Sequence, residues 1–324
     1  MLACPYCRHD QPPLRPGVPR GQCALRHELA QGLLGQPATV SPKFLYDALG
    51  SRLFDAITEL PEYYPTRTER AIFDAHAPAI GALAGRGRTL IDLGAGNCEK
   101  AARLFDVLAP LRYVAVDISV DYLRQALASL QRQHPGIEMV GVGAGFFGVA
   151  GAATRSWARR ALVVLSGFEH RQLHAARCTA IPASGASAGW RRRSAADRHR
   201  PRQAKAVLEL AYDDPLQVTA AFNLNLLRRL NALLGCDARI EDFEHVAAVQ
   251  QAESRIEMHL QARRALTLRW PGGERSLTAG ERIHTENSYK YSVQGFERLL
   301  RQAGFARTTH WTDERGWFAV FLAS

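Results

Sequence analysis

The chain of 324 residues holds no apolar run of the roughly 18 residues a helix needs to cross a bilayer. Its opening, M-L-A-C-P-Y-C-R-H-D, lacks the apolar core of a signal peptide. These absences argue against a membrane protein or an exported one, and predict a cytoplasmic location. The six cysteines are scattered too widely to form the disulfide framework of a small secreted domain. Cys4, Cys7, Cys23 and His27 have loose zinc-ribbon spacing, and Cys4-Pro-Tyr-Cys7 also reads as a redox pair. The Pro-rich run at 12–19 favours a plainer reading, a disordered leader over residues 1–23, and no metal is expected.

Acidic residues are scarce in one stretch only. Residues 151–205 carry twelve Lys/Arg and two acids, Glu169 and Asp197, which accounts for the whole formal charge of +10. The rest of the chain is charge-balanced. A neutral protein of ordinary composition carries a basic insert, and its length suits one large or two linked domains.

What is present centres on residues 89–97, T-L-I-D-L-G-A-G-N, followed by an amphipathic stretch over 99–108 and by Y-V-A-V-D-I-S at 113–119. A strand, a turn on Gly94 and Gly96, a helix and a second strand ending in Asp117 make half of a nucleotide-binding βαβαβ unit. Without Cβ atoms, the two glycines allow a tight turn and close approach of a ligand. Asp117 is placed to take two ribose hydroxyls. A dinucleotide loop needs a third glycine where Glu99 stands, and an acid there is unwelcome beside a pyrophosphate. It is acceptable beside a ligand with an amino-acid tail, so the loop predicts S-adenosylmethionine (SAM) as cofactor.

Periodicity divides the remainder. Residues 24–40 read as a helix with Leu25, Leu29, Leu33 and Leu34 on one face. Residues 41–80 read as a short helical segment, a Pro-bounded aromatic loop and a helix opening at Thr66 or Thr68. Further helical stretches are predicted at 120–133, 205–235 and 292–303. Residues 255–272 and 276–290 alternate as two antiparallel strands around Pro271-Gly272-Gly273, and the tail reads as a hairpin turning at 313–316. Residues 145–204 show weak periodicity where a SAM fold needs its fourth and fifth strands.

Outside that stretch the chain resembles the SAM-dependent histidine Nα-methyltransferases of ergothioneine biosynthesis. The resemblance rests on S-P-K-F-L-Y-D (41–47), G-S-R-L-F-D (50–55), L-P-E-Y-Y-P-T-R-T-E (60–69), I-D-L-G-A-G-N-C-E-K (91–100), V-D-I-S (116–119), A-Y-D-D-P-L-Q-V-T-A-A-F-N-L-N (211–225), R-I-E-M-H-L (255–260), I-H-T-E-N-S-Y-K-Y (283–291) and H-W-T-D (310–313). It implies an α/β fold, a class I (Rossmann-like) methyltransferase sheet with an added α+β substrate domain. The implied segments are an N-terminal part of the substrate domain at 24–80, a SAM-binding core at 81–204, a substrate-binding insertion at 205–290 and the end of the core at 291–324. Gly94, Lys100 and Asp117 match the family's SAM contacts, beside Gly96 of the same turn. Tyr63, Tyr212, Glu286 and Ser288 match its histidine contacts, and Tyr46 and Met258 its pocket lining. The implied partners are L-histidine and its methylated forms, and the implied protein is a monomer that binds neither nucleic acid nor membrane. No catalytic acid or base is implied, because alignment and a cation-tolerant pocket suffice for an in-line methyl transfer. Tyr64 reads as ordinary aromatic packing.

Three family motifs are missing: D-F after the third strand, where Gly145-Phe146 stands, G-S-x-I-G-N-F after the fourth, and D-L-V-K after the fifth. Residues 168–178 can be encoded so that reading from the second base gives S-S-I-G-N-F-T-P-R-D. Residues 197–203, read in the same shifted frame, give I-G-I-D-L-V-K. This predicts that 145–204 is translated out of frame between two compensating indels, is not native-like, and leaves the chain with little or no activity. The rival readings are a SAM methyltransferase for another small amine or amino acid, a decayed gene product, and a nucleic-acid-binding protein using the basic run at 189–205.

Overall fold

The computed structural model describes residues 14–16, 22–143, 161–165 and 203–324. In chain order the elements are strand β1 (Leu14–Pro16), helix α1 (Gln22–Leu34), strand β2 (Ala38–Thr39), a 3-10 turn at Pro42–Leu45, helices α2 (Ala48–Glu59) and α3 (Tyr64–Ala84), strand β3 (Thr89–Leu93), short helices α4 (Glu99–Ala102) and α5 (Phe105–Leu108), β4 (Arg112–Asp117), α6 (Val120–Gln133), β5 (Glu138–Gly143) and β6 (Ala161–Leu165). Then follow α7 (Lys205–Leu210), α8 (Val218–Leu234), β7 (Phe243–Gln250), β8 (Arg255–Ala262), β9 (Leu266–Trp270), β10 (Gly273–Leu277), β11 (Arg282–Tyr289), α9 (Val293–Gln302), β12 (Thr308–Thr312) and β13 (Ala319–Ala323). Contacts divide the chain into a unit of Met1–Val18 with Ala77–Ser166 and a unit of Pro19–His76 with Gly167–Ser324.

The first unit is built on a parallel sheet in the order β1-β5-β4-β3-β6. Strands β3 and β4 are near-continuous apolar runs, as expected where both faces of a parallel sheet are covered. Leu90, Ile91, Tyr113, Val114, Ala115 and Val116 are all buried. Helix α6 contributes Leu123, Leu127 and Leu130, which recur at helical spacing and are buried, and it packs on β4 and β5. The chain runs outward from β3 to β4 and β5, then crosses back to β6 on the other side of β3. That reversal makes the carboxyl end of β3 the switch point where open α/β sheets bind ligands.

Strand β6 corrects one expectation. It lies inside the stretch read as non-native, yet it runs parallel to β3 with Leu162 opposite Leu90 and Val164 opposite Asp92. Its sequence A-L-V-V-L is what a covered parallel strand requires, and its short length hid it among Ala, Arg and Gly. Apart from Gln203 and Ala204, the rest of that stretch lies outside the described residues. The leader expectation also needs adjusting at one place: Leu14–Pro16 pairs in parallel with β5. A proline there is tolerated because the strand is at the sheet edge.

In the second unit a sheet ordered β2-β11-β8-β7 packs against helices. Strands β7, β8 and β11 are antiparallel, while β2 runs parallel to β11. Helix α8 is the centre of this core. Phe222, Leu226, Leu227, Leu230 and Leu234 are buried, and the helix packs on α1, α2, β7 and β8. Close packing requires glycine at position 50, because a Cβ there would stand 1.8 Å from the Leu45 carbonyl oxygen.

Several boundaries differ from the sequence reading. Helix α1 stops at Leu34, and residues 38–39 form β2 instead. Helix α3 starts at Tyr64, with Pro65 in the first turn, where no amide hydrogen is needed. The stretch 99–108 makes two short helices rather than one. Residues 255–290 make four strands, since the amide of Arg263 turns away to the Asp242 carbonyl and ends β8. Strand β7 was not anticipated. The C-terminal hairpin forms as expected, with Asp313 accepting from the amides of Arg315 and Phe318 at its turn.

Candidate functional site

The residues expected to bind the cofactor belong to the first unit. Strand β3 ends at Leu93, and the chain turns through Gly94 (φ 72°) and Gly96 (φ 53°), left-handed conformations that a side chain would strain. The amides of Gly94 and Ala95 both donate to the Val116 carbonyl, tying the turn to the end of β4. A Cβ on Gly96 would meet nothing within 4 Å, so this face of the turn is open. Asp117 ends β4. One carboxylate oxygen accepts from the Gly96 amide at 2.9 Å, and the other from the Ser119 amide at 2.8 Å. Burial pushes its carboxyl above the ordinary value, against the amides of Ser119, Gly96 and Ile118, which pull it down. The acid thus holds the glycine turn in shape and keeps lone pairs for further donors, since a carboxylate offers about four acceptor sites. Lys100 sits in α4, directly after the turn and half-buried.

Beneath the turn, Tyr113 donates to a buried oxygen of Asp92 at 2.9 Å. Burial pushes the Cys98 thiol well above its usual range, so it is a neutral packing group rather than a nucleophile. A glycine turn after the central strand, an acid ending its neighbour and parallel strands reversing at that point define a class I nucleotide-binding methyltransferase core. The groups fit a nucleoside: a carboxylate that accepts from ribose hydroxyls, an open glycine face and no third glycine for a pyrophosphate.

The residues expected to bind the substrate belong to the second unit. Strand β11 alternates, so Glu286, Ser288 and Lys290 share one face. Lys290 continues the ladder past the end of β11 through its amide, which donates to the Ser254 carbonyl at 2.7 Å. Glu286 stands opposite Met258 on β8, next to a register shift between His284 and Glu286. Glu286, Ser288 and Met258 are all buried. The Tyr212 hydroxyl and Ser288 Oγ are 2.6 Å apart. Tyr63 meets Tyr212 edge to face at 6.1 Å between centroids. Tyr46 packs edge-on against Phe54 and Phe222, and Phe54 continues the aromatic wall to Tyr63. All six expected substrate residues therefore lie in one unit, with Tyr63, Tyr212 and Ser288 in direct succession. Tyr64 instead meets Trp317 edge-on at 5.2 Å, which is packing, as expected.

Sequence reasoning missed the groups that hold this wall. Asp47 caps α2 through the Gly50 amide at 2.7 Å, and the same oxygen accepts from Asn225 on α8 at 2.9 Å. Asp214 accepts from the amides of Val218 and Thr219, which anchors the loop carrying Tyr212 to the start of α8. Burial raises the Asp214 carboxyl, but those amides outweigh it and hold it below the ordinary value. His245 Nε2 is 2.8 Å from the Tyr212 carbonyl, and its Nδ1 is 2.9 Å from Asn223 Nδ2. A carbonyl only accepts, so Nε2 carries the hydrogen and Nδ1 accepts from Asn223. Burial keeps this ring neutral by lowering its pKa. Lys290 was also overlooked, although the alternation E-x-S-x-K was visible in the sequence.

Gly145-Phe146, which stands where the family has D-F, the segment where G-N-F belongs and all but Gln203 of the segment where D-L-V-K belongs lie outside the described residues. So do Cys4 and Cys7. Among the described residues no group of three or more His, Cys, Asp or Glu could hold a metal ion. No described helix is long and apolar enough to cross a membrane.

Comparison with known proteins gives the identity of the fold. The family described as "Histidine-specific methyltransferase, SAM-dependent" matches residues 25–324, and the chain belongs to it. It is 36% identical over 316 residues to the "Histidine N-alpha-methyltransferase" of Mycolicibacterium smegmatis, an alignment covering 93% of this chain and 94% of that protein. Identity to the protein of the same description from Mycobacterium tuberculosis is 36% over 318 residues, covering 95% and 97%. The chain is also 28% identical to "Ergothioneine biosynthesis protein 1" of Neurospora crassa, over 85% of this chain and 32% of that longer protein.

Proposed function

We propose that the protein transfers methyl groups from SAM to the α-amino group of L-histidine, repeatedly, to give trimethylhistidine for ergothioneine synthesis. The observation that carries this is the shared face of β11. It sets a buried carboxylate, Glu286, two residues from a buried hydroxyl, Ser288, which is hydrogen-bonded to Tyr212. An imidazole has one ring N–H to donate and one ring nitrogen to accept, so an acceptor and a donor held at neighbouring positions suit it. Tyr63 and Tyr212 add hydroxyls for the substrate carboxylate and ring faces for a methylated ammonium. Tyr46 and Met258 close the pocket. Gly94, Gly96, Lys100 and Asp117 hold the nucleoside.

When bound, SAM supplies an electrophilic methyl group on its sulfonium. The chain's own part is to orient the amine, keep water out of the aromatic wall and tolerate the growing positive charge, so alignment does most of the catalytic work. The amine must reach the methyl group unprotonated. The protein acts as a cytoplasmic monomer, without nucleic acid or membrane.

The frame-shift reading belongs to the same proposal. Strand β6 in register beside β3 supports a shifted frame that begins after Leu165. Gly145 stands where the family has its acid. The Asn of G-N-F is absent from the written chain, so histidine should bind weakly and turn over slowly or not at all. The test has two parts. Resequencing codons 140 to 210 should find two compensating indels, and the frame-restored protein with SAM and L-histidine should give mono-, di- and trimethylhistidine by mass spectrometry. A clean reading frame would refute the first part. Methylation of another amine in preference to histidine would refute the second.

A further inference from the structure

His245, half-buried on β7, joins helix α8 to the loop that carries Tyr212. Asn223 of α8 fixes which ring nitrogen holds the hydrogen. Its Nδ2 lies 2.9 Å from the His259 carbonyl oxygen, which only accepts, so this end of the amide is the donor. The same nitrogen lies 2.9 Å from His245 Nδ1, which must therefore accept. The hydrogen of the neutral ring sits on Nε2 and is donated to the Tyr212 carbonyl at 2.8 Å. The Asn223 side chain is fully buried, and its Oδ1 has no hydrogen-bond partner among the described residues. Turning the amide over would press Oδ1 against the His259 carbonyl and leave Nδ2 unpaired in its place. The arrangement has one solution, and only a neutral ring satisfies it.

We propose that His245 is a positioning residue that makes substrate affinity sensitive to a proton: the neutral ring holds Tyr212 in place for the substrate, and protonation at Nδ1 lets it go. This rests on the histidine reading above, which gives Tyr212 to the substrate, and adds a group that acts through Tyr212. An imidazolium has two N–H donors and no acceptor. Its Nδ1–H would meet the Asn223 donor head-on, and the ring would be driven off α8, taking the Tyr212 carbonyl with it. Burial opposes the charged ring and prevails over the Tyr212 carbonyl, Asp213 and Asp214, which favour it. The neighbouring elements present no further charge to the ring. Strand β8 turns Ile256, Met258, Leu260 and Ala262 to this side of the sheet. Lys205 and Glu209 of α7 pair with each other. Ahead of β7, Asp242 pairs with Arg264 and Glu241 with Arg239. Arg228 and Arg229 lie about 140° and about 240° around α8 from Asn223. The hold is therefore complete at neutral pH and is lost as pH falls below about 6.5 toward the lowered value of the ring.

The test is an NMR pH titration of the full chain carrying ring-labelled histidines, without and with unlabelled L-histidine at millimolar concentration, where weak binding still registers. By linkage, a substrate that needs the neutral ring must lower the pH at which that ring titrates. The expected drop is about one pH unit, the tenfold coupling that one ordinary hydrogen bond supplies. His245→Gln identifies the resonance and gives a second readout, because glutamine can donate to the Tyr212 carbonyl but cannot titrate. Its histidine affinity by calorimetry should be about tenfold weaker than wild type near pH 7.5 and should converge on wild type near about pH 5. The substrate's own ring titrates alike in both proteins, so it cancels in this comparison. S-adenosylhomocysteine affinity should be the same in both. A His245 titration that L-histidine leaves unmoved would overturn the inference. So would affinity curves that run parallel across that pH range, or an equal loss of S-adenosylhomocysteine affinity, which would make the ring merely structural. If His245→Gln folds poorly, His245→Asn identifies the resonance and the wild-type titration alone decides. A wild-type chain that binds no histidine overturns the histidine reading and this inference together, whereas binding that leaves the His245 titration in place overturns this inference alone.

Discussion

Asp117→Asn isolates the cofactor side of the site. In the free protein the carboxylate makes two bonds, to the amides of Gly96 and Ser119. Asparagine has the same shape, keeps one oxygen and turns an amide group toward the other N–H. Folding should suffer little, because burial already pushes this carboxyl upward and the free protein gains little from a charge there. About 1 kcal/mol of stability is at stake, the size of one ordinary hydrogen bond. Cofactor binding should suffer more. A carboxylate taking two ribose hydroxyls contributes about 3 kcal/mol at the low end for charged acceptors, and one amide oxygen about 1 kcal/mol. The difference of about 2 kcal/mol is roughly a 30-fold loss of affinity. Calorimetry with S-adenosylhomocysteine, beside a thermal melt of the free protein, separates the two effects. An affinity within threefold of wild type would refute the assignment of Asp117 to the ribose, and a melting loss larger than the binding loss would make it a structural clamp.

Three further outcomes are expected. Gly50→Ala should cost about 3 kcal/mol or more, because the new Cβ meets backbone rather than a flexible side chain; a denaturant midpoint close to wild type would contradict this packing. Burial holds His245 and His259 below the ordinary histidine value, so the unfolded chain takes up protons first. Their contribution is complete above about pH 6.5 and is lost as pH falls through that value toward the lowered folded ones. A urea midpoint that stays flat from pH 7 to 5 would refute it. Asn223→Leu strips Nδ2 from both His245 and the His259 carbonyl. It should lower stability by about 2 kcal/mol and weaken histidine binding more than cofactor binding; equal loss of both would show that the His245 tie does not position Tyr212.

Much of the cofactor half was legible in the chain, because its signals are local. An apolar run, two glycines in a turn and an acid ending the next strand fall within about thirty residues, and each has a conformational cause that needs no partner from elsewhere. The helix at 120–133 and the C-terminal hairpin were legible for the same reason. Strand β6 was not. It is five residues long, lies in compositionally poor surroundings and gains its identity only by pairing with β3. Strand β2 has two residues and exists only beside β11.

The sequence by itself determined which residue types recur at which spacing. That was enough to name Tyr63, Tyr212, Glu286 and Ser288 through a resemblance. It could not show that a lysine two positions beyond Ser288 meets a tyrosine 78 residues earlier in the chain. Nor could it show that His245 grips the carbonyl of that same tyrosine. Those contacts depend on the antiparallel register of β7, β8 and β11, on α8 packing against β7 and β8, and on the Asp214 anchor that fixes where Tyr212 sits. Alternation places a side chain on a face, but only the tertiary structure decides what faces it.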